Sequence, residues 1–110
     1  MTENIKDIAI SYFKIFSEKN INGLREMFDD SVTLRDWNID KQGIESVLKA
    51  NLSIFQSVKS IKAIPQNIIS ENNFVFAELK ILVDDDELKV VDMIEFNKEG
   101  KIISIKAFKG

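Results

Sequence analysis

Two aspartates and one tyrosine are the side chains of this sequence whose types and positions suit chemistry. The chain has 110 residues and contains neither histidine nor cysteine. Their absence excludes imidazole and thiolate catalysis, disulfides and the usual ligands of zinc. Any reaction must therefore use carboxylates, lysines, hydroxyls, backbone groups or the single tyrosine, Tyr12.

Asp92 interrupts an apolar strand pattern. It shares its parity with Leu88, Val90, Ile94 and Phe96, so its carboxyl lies on a face that is otherwise apolar. An ionised carboxylate there is costly unless it is paired or protonated, and we therefore predict that its pKa is raised. The structural alternatives are a β-bulge that turns Asp92 outward and a hydrogen bond from its carboxyl to a helix end.

Asp36 and Tyr12 are also polar groups on predicted apolar faces. Asp36 ends an alternating segment on the same side as Val32 and Leu34, and Tyr12 lies on the apolar face of a predicted helix. Taken singly, Asp36 is typical of a turn or cap residue, and Tyr12 of a core aromatic with a locally bonded hydroxyl. Because neither they nor Asp92 have an obvious charge partner nearby, we consider the three together as a candidate catalytic site.

The elements that must position these residues follow from hydrophobic periodicity. Apolar residues first recur at steps of three and four, which predicts amphipathic helices. The helices are predicted at residues 3–17 and 24–28 and from Ile44 to Phe55, with a break at residues 20–23, a turn at 29–31 and a polar connection at 38–42.

Strands account for the rest of the chain. Alternation with period two continues through four segments separated by short polar turns, a pattern typical of antiparallel hairpins. Pro65 lies in the first segment, where it predicts an edge strand or a bulge. We predict one α+β domain over residues 1–110, with three N-terminal helices on one face of a curved antiparallel sheet and a pocket between the layers. The predicted strands are residues 32–36, 58–70, 74–83, 88–96 and 101–108.

Charge and hydropathy limit the partners. The formal net charge is −3, from 15 basic and 18 acidic side chains, and no basic stripe is visible, so we expect no nucleic-acid partner. No apolar run reaches the length of a signal-peptide core or a membrane span, so we expect no membrane partner. We predict a cytoplasmic protein, with which the lack of cysteine is compatible.

Tyr12, residues 23–36 and residues 90–108, which include the turn Asn-x-x-Gly-Lys, carry a resemblance that covers nearly the whole chain. In these segments the sequence resembles the ketosteroid-isomerase branch of the NTF2-like (SnoaL-like) superfamily. The resemblance implies a cone-shaped domain with a pocket at its open end. It also implies that Tyr12 and a protonated Asp92 form an oxyanion hole while Asp36 carries the proton. Ketosteroid isomerases are themselves the standard example of a carboxylic acid kept neutral by an apolar site.

The sequence also departs from that family's pattern. Trp37 follows Asp36 where the steroid isomerases have proline, the connection to Gly43 is shorter, and Asn51 takes the place of a supporting tyrosine. These departures concern steroid specificity more than proton transfer. Relatives of the scytalone dehydratase type rely on histidines, so the absence of histidine disfavours that branch.

The reaction that we expect is proton abstraction next to a carbonyl of a small apolar or cyclic molecule. Asp36 acts as the general base, and Tyr12 and neutral Asp92 donate hydrogen bonds to the developing enolate oxygen. No metal or organic cofactor is required. The candidates for the pocket wall are Phe16, Trp37, Phe55 and Phe108, each of which also suits ordinary core packing.

A non-catalytic module of the same fold, which binds a ligand or mediates dimerisation, is the alternative function. We further predict a homodimer, because the outer face of the sheet is expected to be more apolar than a monomer usually exposes. The residues assigned to that face are Val75, Leu79, Ile81, Val83, Val91, Met93, Ile103 and Ile105; if the two faces are reversed, helices cover some of them instead.

Overall fold

Three helices packed on a six-stranded curved sheet form the part of the chain that the computed structural model describes, residues 4–110. The predicted α+β class, with the helices on one face of the sheet, is confirmed. In chain order the elements are α1 (Ile5–Ser17), α2 (Ile21–Met27), β1 (Phe28–Arg35), β2 (Asp40–Gln42), α3 (Ile44–Ser57), β3 (Ile61–Glu71), β4 (Phe74–Val83), β5 (Asp86–Phe96) and β6 (Ile102–Lys109).

The helices lie close to their predicted positions. The predicted first residue of α1, Glu3, lies outside the described residues. The side chain of Asn20 accepts a hydrogen bond from the Gly23 backbone N–H at 2.9 Å, so Asn20 caps α2. The second helix therefore begins at Ile21 and not at the predicted Leu24, because asparagine at the N-cap supplies an acceptor to the first helical turn.

The sheet has the strand order β2-β1-β6-β5-β4-β3. Strands β3 to β6 form the predicted antiparallel meander. Strand β1 enters between β2 and β6, where it runs antiparallel to β2 and parallel to β6. The sheet is therefore mixed and not wholly antiparallel. The parallel pair joins strands from opposite ends of the chain, a pairing that local alternation does not encode.

Two segments that the sequence predicts to be connections belong to strands in the structure. Residues 29–31 belong to β1, and residues 40–42 of the polar connection form β2. The pairing of β1 with β6 shifts register between Phe28 and Thr33, so the turn-like residues form an irregularity inside a strand. Within it, Asp29 accepts hydrogen bonds from the backbone N–H and the hydroxyl of Ser31. Asx-type bonding explains why this segment resembles a turn in sequence.

Pro65 lies where its chemistry predicts. It belongs to β3, the strand at one edge of the sheet, and the pairing of β3 with β4 shifts register between Pro65 and Asn67. Proline has no N–H to donate to a ladder, so an edge position beside a bulge accommodates it. Both predicted alternatives, edge and bulge, are confirmed together.

The core lies between the helices and the inner face of the sheet, and this reverses part of the predicted face assignment. Val75, Leu79 and Ile105, expected on the outer face, are buried in the core, and Ile81 and Val83 pack against it. Alternation identifies the residues that share a face but not which face the helices cover. Val91, by contrast, is 42% exposed.

Candidate functional site

A cavity of about 260 Å³ lies between α1, α3 and the inner face of the sheet. Most of its wall is apolar, including Leu34, Ile54, Leu79 and Val90. Two exposed residues, Trp37 and Asn38, belong to the same wall and form its rim. An apolar cavity with a few converging polar groups is the usual form of a small-molecule site. Its polar side chains come from four different elements or their ends, and all three predicted catalytic residues are among them. The polar residues of the wall are Tyr12, Asp36, Asn38, Asn51 and Asp92.

Tyr12 reaches the cavity from the buried face of α1. Its ring packs against Phe13, Phe16 and Phe28, with centroids 5.4, 6.1 and 6.2 Å away. Tyr12 is thus a core aromatic, as one of the two alternatives predicts. That alternative also predicts a local hydrogen bond for its hydroxyl, but the hydroxyl has no hydrogen-bond partner in the described part of the chain. Burial, and then the Asp92 charge, raise the pKa of Tyr12. The phenol therefore keeps its proton and can donate a hydrogen bond to a ligand.

Helix α1 is tied to the sheet next to the site. The Ser17 hydroxyl donates to the Phe13 carbonyl at 2.7 Å and accepts from the Ala63 backbone N–H at 2.9 Å. One hydroxyl thus joins the C-terminal turn of α1 to β3. Because Phe13 and Tyr12 are adjacent, this link helps to fix the distance between the Tyr12 hydroxyl and the sheet.

Asp92 reaches the cavity from the middle of β5. It is 7% exposed, and its same-face neighbours Val90 and Ile94 are buried, so the parity prediction is confirmed and the predicted outward-turning bulge is absent at this position. In the register Asp92 pairs with Ala77 on β4 and Ala107 on β6. Two methyl side chains beside the carboxyl leave space in front of it, where larger residues would fill the cavity.

The electrostatics of Asp92 follow from this position. Burial, and then the nearby charge of Asp36, raise the pKa of Asp92 from 3.8 to about 7. No hydrogen bond from residues 4–110 stabilises either form of its carboxyl. The direction of the shift agrees with the sequence prediction, and its main cause is desolvation of the charged form. Below neutral pH, Asp92 is a neutral acid that can donate a hydrogen bond.

Asp36 lies at the end of β1 and has two roles at once. Its Oδ1 accepts hydrogen bonds from the backbone N–H groups of Asn38 and Ile39, both at 2.7 Å, and its own N–H donates to the Ile39 carbonyl. It is therefore a turn residue, as the structural alternative predicts. The same side chain lines the cavity. Both side-chain bonds use Oδ1, so Oδ2 is the oxygen left to take a proton.

Asn51 is a further polar residue of the cavity. It lies on the apolar stripe of α3, is 2% exposed, and its Oδ1 has no hydrogen-bond partner among the described residues. The sequence signal for it is plain, since an amide occupies a position of the helical apolar period with Val47, Leu48 and Phe55. The resemblance places Asn51 where the family has a supporting tyrosine, and the sequence-based prediction gives it no role in the site.

Two of the four predicted wall residues line the cavity and two do not. Phe16 and Trp37 belong to the wall. Phe55 is buried behind Phe16, with ring centroids 5.1 Å apart. Phe108 is 57% exposed and pairs with exposed Val91 in the register. Its assignment is corrected because the inner position of β6 next to it is Ala107, one residue earlier.

The Trp37 side of the rim carries a cation. The Lys109 ammonium lies 5.4 Å from the centre of the Trp37 ring, within the range of a cation–π contact. This contact joins the end of β6 to the turn that follows β1. It therefore helps to hold the segment that carries Asp36 against the sheet.

Clusters of metal-ligand side chains and long apolar helices are both absent from the described residues. Residues 4–110 contain no group of three or more acidic side chains, histidines or cysteines placed to hold a metal ion. None of the helices in that range is long and apolar enough to cross a membrane.

Comparison with known proteins gives a match at the level of structure. No family model and no curated protein matches the chain. An NTF2-like protein of unknown function from Cytophaga hutchinsonii is 14% identical over 100% of this chain and 93% of its own, with a TM-score of 0.84. A protein proposed to be a ketosteroid isomerase, from Kribbella flavida, is 14% identical over 99% of this chain and 79% of its own, with a TM-score of 0.84. A steroid delta-isomerase from Pseudomonas aeruginosa is 17% identical over 99% and 82%, with a TM-score of 0.75. The chain thus has the NTF2-like fold that the resemblance implies.

Proposed function

We propose that this NTF2-like domain binds a small apolar or cyclic carbonyl compound and moves a proton at the carbon next to the carbonyl. One observation carries the proposal: a phenol and two carboxyl groups, Tyr12, Asp36 and Asp92, line one apolar cavity. Two of them are buried without hydrogen-bond partners among residues 4–110 and have raised pKa values. Groups perturbed in this way, inside a cavity, are candidates for acid and base chemistry. Fold likeness to a steroid delta-isomerase supports the same class of reaction by analogy.

The proposed reaction needs one base and one stabilised oxygen. Oδ2 of Asp36 takes a proton from the carbon next to the carbonyl, the C–H electron pair forms the enolate double bond, and the carbonyl oxygen becomes negative. Tyr12 and protonated Asp92 donate hydrogen bonds to that oxygen. Asp36 then returns the proton to the same carbon or, where the enolate is conjugated, to a second one. Return to a second carbon isomerises the compound without any cofactor.

The two donors suit this role because burial keeps them protonated. The raised pKa values of Tyr12 and Asp92 mean that both carry their protons below about neutral pH. In a water-poor site, one such donor stabilises a developing oxyanion by about 3 kcal/mol. A donor that ionised at low pH would instead repel the enolate.

The experiment that tests this proposal is deuterium exchange at the carbon next to the carbonyl of a cyclic ketone, followed by NMR. Asp36→Asn should lower the exchange rate by about 10²- to 10⁴-fold, the usual contribution of a general base. The amide oxygen of asparagine can still accept the two turn hydrogen bonds, so the loop should remain closed. Asp40→Asn, an exposed carboxylate change nearby on β2, is the matched control and should leave the rate unchanged. Wild-type exchange no faster than that of the Asp36→Asn variant would contradict the proposal.

A non-catalytic binding module is the second candidate function. One observation favours it: Asp36 already serves the turn through Oδ1, so its presence at the end of β1 has a structural reason. In this case the cavity binds a cyclic ketone without exchange, and Asp36→Asn binds it as tightly as wild type. The exchange assay and a binding titration on the same two proteins separate the two functions.

We also propose that a second copy of this chain covers the outer face of the sheet. Ile69, Phe76, Val91 and Phe108 are 65%, 37%, 42% and 57% exposed there. The register places Ile69 beside Phe76, and Val91 beside Phe108, so their apolar surface extends over adjacent strands. Apolar patches of this kind mark interaction sites.

The cytoplasmic location likewise remains a proposal, based on the cysteine-free sequence.

A further inference from the structure

Asn51 is a buried polar side chain that the fold itself does not use. It is 2% exposed on the apolar stripe of α3, between Leu48 and Phe55, which are also buried. Its Oδ1 has no hydrogen-bond partner among residues 4–110. An unpaired buried acceptor destabilises a folded protein, whereas an apolar side chain of similar shape does not. The fold alone would therefore favour leucine at this position.

The unpaired amide lines the same cavity as the proposed catalytic residues. Asn51 belongs to α3, whereas Tyr12 comes from α1 and Asp92 from β5. A ligand that fills the cavity therefore meets Asn51 at a different part of its surface from its contacts with the other two elements. The rest of the wall that α3 supplies is apolar, with Ile54 one turn further along. Asn51 is thus the polar contact that α3 offers to a ligand.

We propose that Asn51 is a specificity-determining residue that binds a hydroxyl group of the ligand. This inference rests on the proposed function, and it narrows the ligand class to small ring compounds that carry a hydroxyl in addition to the carbonyl. A hydroxyl can donate to the amide oxygen or accept from the amide N–H, so it satisfies the side chain in either orientation. A purely apolar ligand would leave the amide unpaired.

Selectivity follows from the exchange of water for ligand. The Asn51 amide lines the cavity, and a flip of the side chain exchanges its oxygen and nitrogen. Water that enters the cavity can bond to this amide, and a ligand that fills the cavity displaces that water. A ligand hydroxyl restores the lost bond, whereas a C–H group does not, which corresponds to about a three- to tenfold difference in affinity. The cavity volume of about 260 Å³ is many times the volume that one water molecule needs. This space suits a ligand of one or two rings.

The test compares planar phenols that imitate an enolate. Naphthol presents one hydroxyl to Tyr12 and Asp92, and dihydroxynaphthalenes carry a second hydroxyl at different positions of the far ring. Isothermal titration calorimetry measures the dissociation constants for wild type, Asn51→Leu and Gln56→Leu. Gln56 is an exposed amide on the same helix, α3, that does not line the cavity, and its replacement by leucine serves as the matched control. Asn51→Leu should fold at least as stably as wild type, because it removes an unpaired buried group.

The expected result is that wild type and Gln56→Leu prefer one dihydroxynaphthalene over naphthol by about three- to tenfold, and that Asn51→Leu abolishes or reverses this preference. If wild type binds all the compounds but shows no preference that Asn51→Leu changes, the role of Asn51 is refuted and the proposed function stands. If wild type binds neither naphthol nor any dihydroxynaphthalene, the proposed enolate site is refuted together with this inference.

Discussion

Asp92→Asn should remove a pH dependence of stability that the wild-type protein owes to one carboxyl. Burial and the Asp36 charge raise the pKa of Asp92 from 3.8 to about 7, so the folded protein holds this proton more tightly than the unfolded chain does. The contribution to the free energy of unfolding is complete below the unfolded pKa and is lost as the pH rises through the folded value. From about pH 5 to pH 8 the loss is on the order of 3 kcal/mol, since about two pH units at about 1.4 kcal/mol each lie below the folded pKa.

This interval suits the measurement because the chain has no histidine, the side chain that normally titrates there. Urea unfolding can be followed by the fluorescence of Trp37, the single tryptophan. With a urea slope of about 1 to 3 kcal/mol per molar for a small domain, the wild-type midpoint should fall by about 1 to 3 M between these pH values. Asp92→Asn should give a nearly constant midpoint, because an amide does not titrate.

Asp85→Asn, in the exposed turn between β4 and β5, is the control and should keep the wild-type pH dependence. The reasoning fails if Asp92→Asn retains the wild-type slope, since another group would then bind the proton. It also fails if the wild-type midpoint does not change between pH 5 and pH 8, since Asp92 would then be ionised in the folded protein throughout that range. An ionised Asp92 has no proton with which to donate a hydrogen bond to a ligand.

Three further predictions test the site, the helix packing and the outer face. Tyr12→Phe should lower the exchange rate by about a hundredfold, the loss of one oxyanion donor, without lowering the urea midpoint; an unchanged rate would exclude the hydroxyl from the reaction. Lys19→Met should lower the free energy of unfolding by about 1 to 2 kcal/mol, because the ammonium donates to the carbonyl of Phe55 in the last turn of α3 and to those of Val58 and Lys59 just after it. Exposed Lys14→Met is the control, and equal stability of the two variants would contradict this capping role. Sedimentation velocity at about ten micromolar, a test concentration for a dimer of ordinary affinity, should give a dimer for wild type and for Ile10→Lys on α1, but a monomer for Val91→Lys; a wild-type monomer would refute the dimer.

Much of the fold follows from periodicity because the pattern of burial repeats within each element. The apolar spacing of α1 and α3 and the alternation around Asp92 each reflect one face turned toward the core. The position of Asp92 on a face that is otherwise apolar is predictable for this reason. So is the direction of its pKa shift, since every same-face neighbour in its strand is apolar.

Features that depend on distant pairing are not predictable in this way. The parallel pair of β1 and β6 joins the two ends of the chain, and β2 has only three residues, all exposed. The prediction that Phe108 lines the cavity is wrong for the same reason. The register between β5 and β6 decides whether Ala107 or Phe108 takes the inner position, and that register shifts between Glu95 and Phe96. The space in front of Asp92 likewise depends on Ala77 and Ala107, which the register brings to it from two other strands.

Asn51 and Asp92 are the two buried polar residues of the described chain, and both lie in the wall of the same cavity. They come from elements far apart in sequence, so no local constraint of one helix or strand explains their coincidence. Each lacks a hydrogen-bond partner in residues 4–110, so each reduces the stability of the fold relative to an apolar residue. Conflicts of this kind between local rules and the fold are expected at functional sites. A ligand with polar groups facing both residues would resolve the two conflicts at once, and packing of the core would resolve neither.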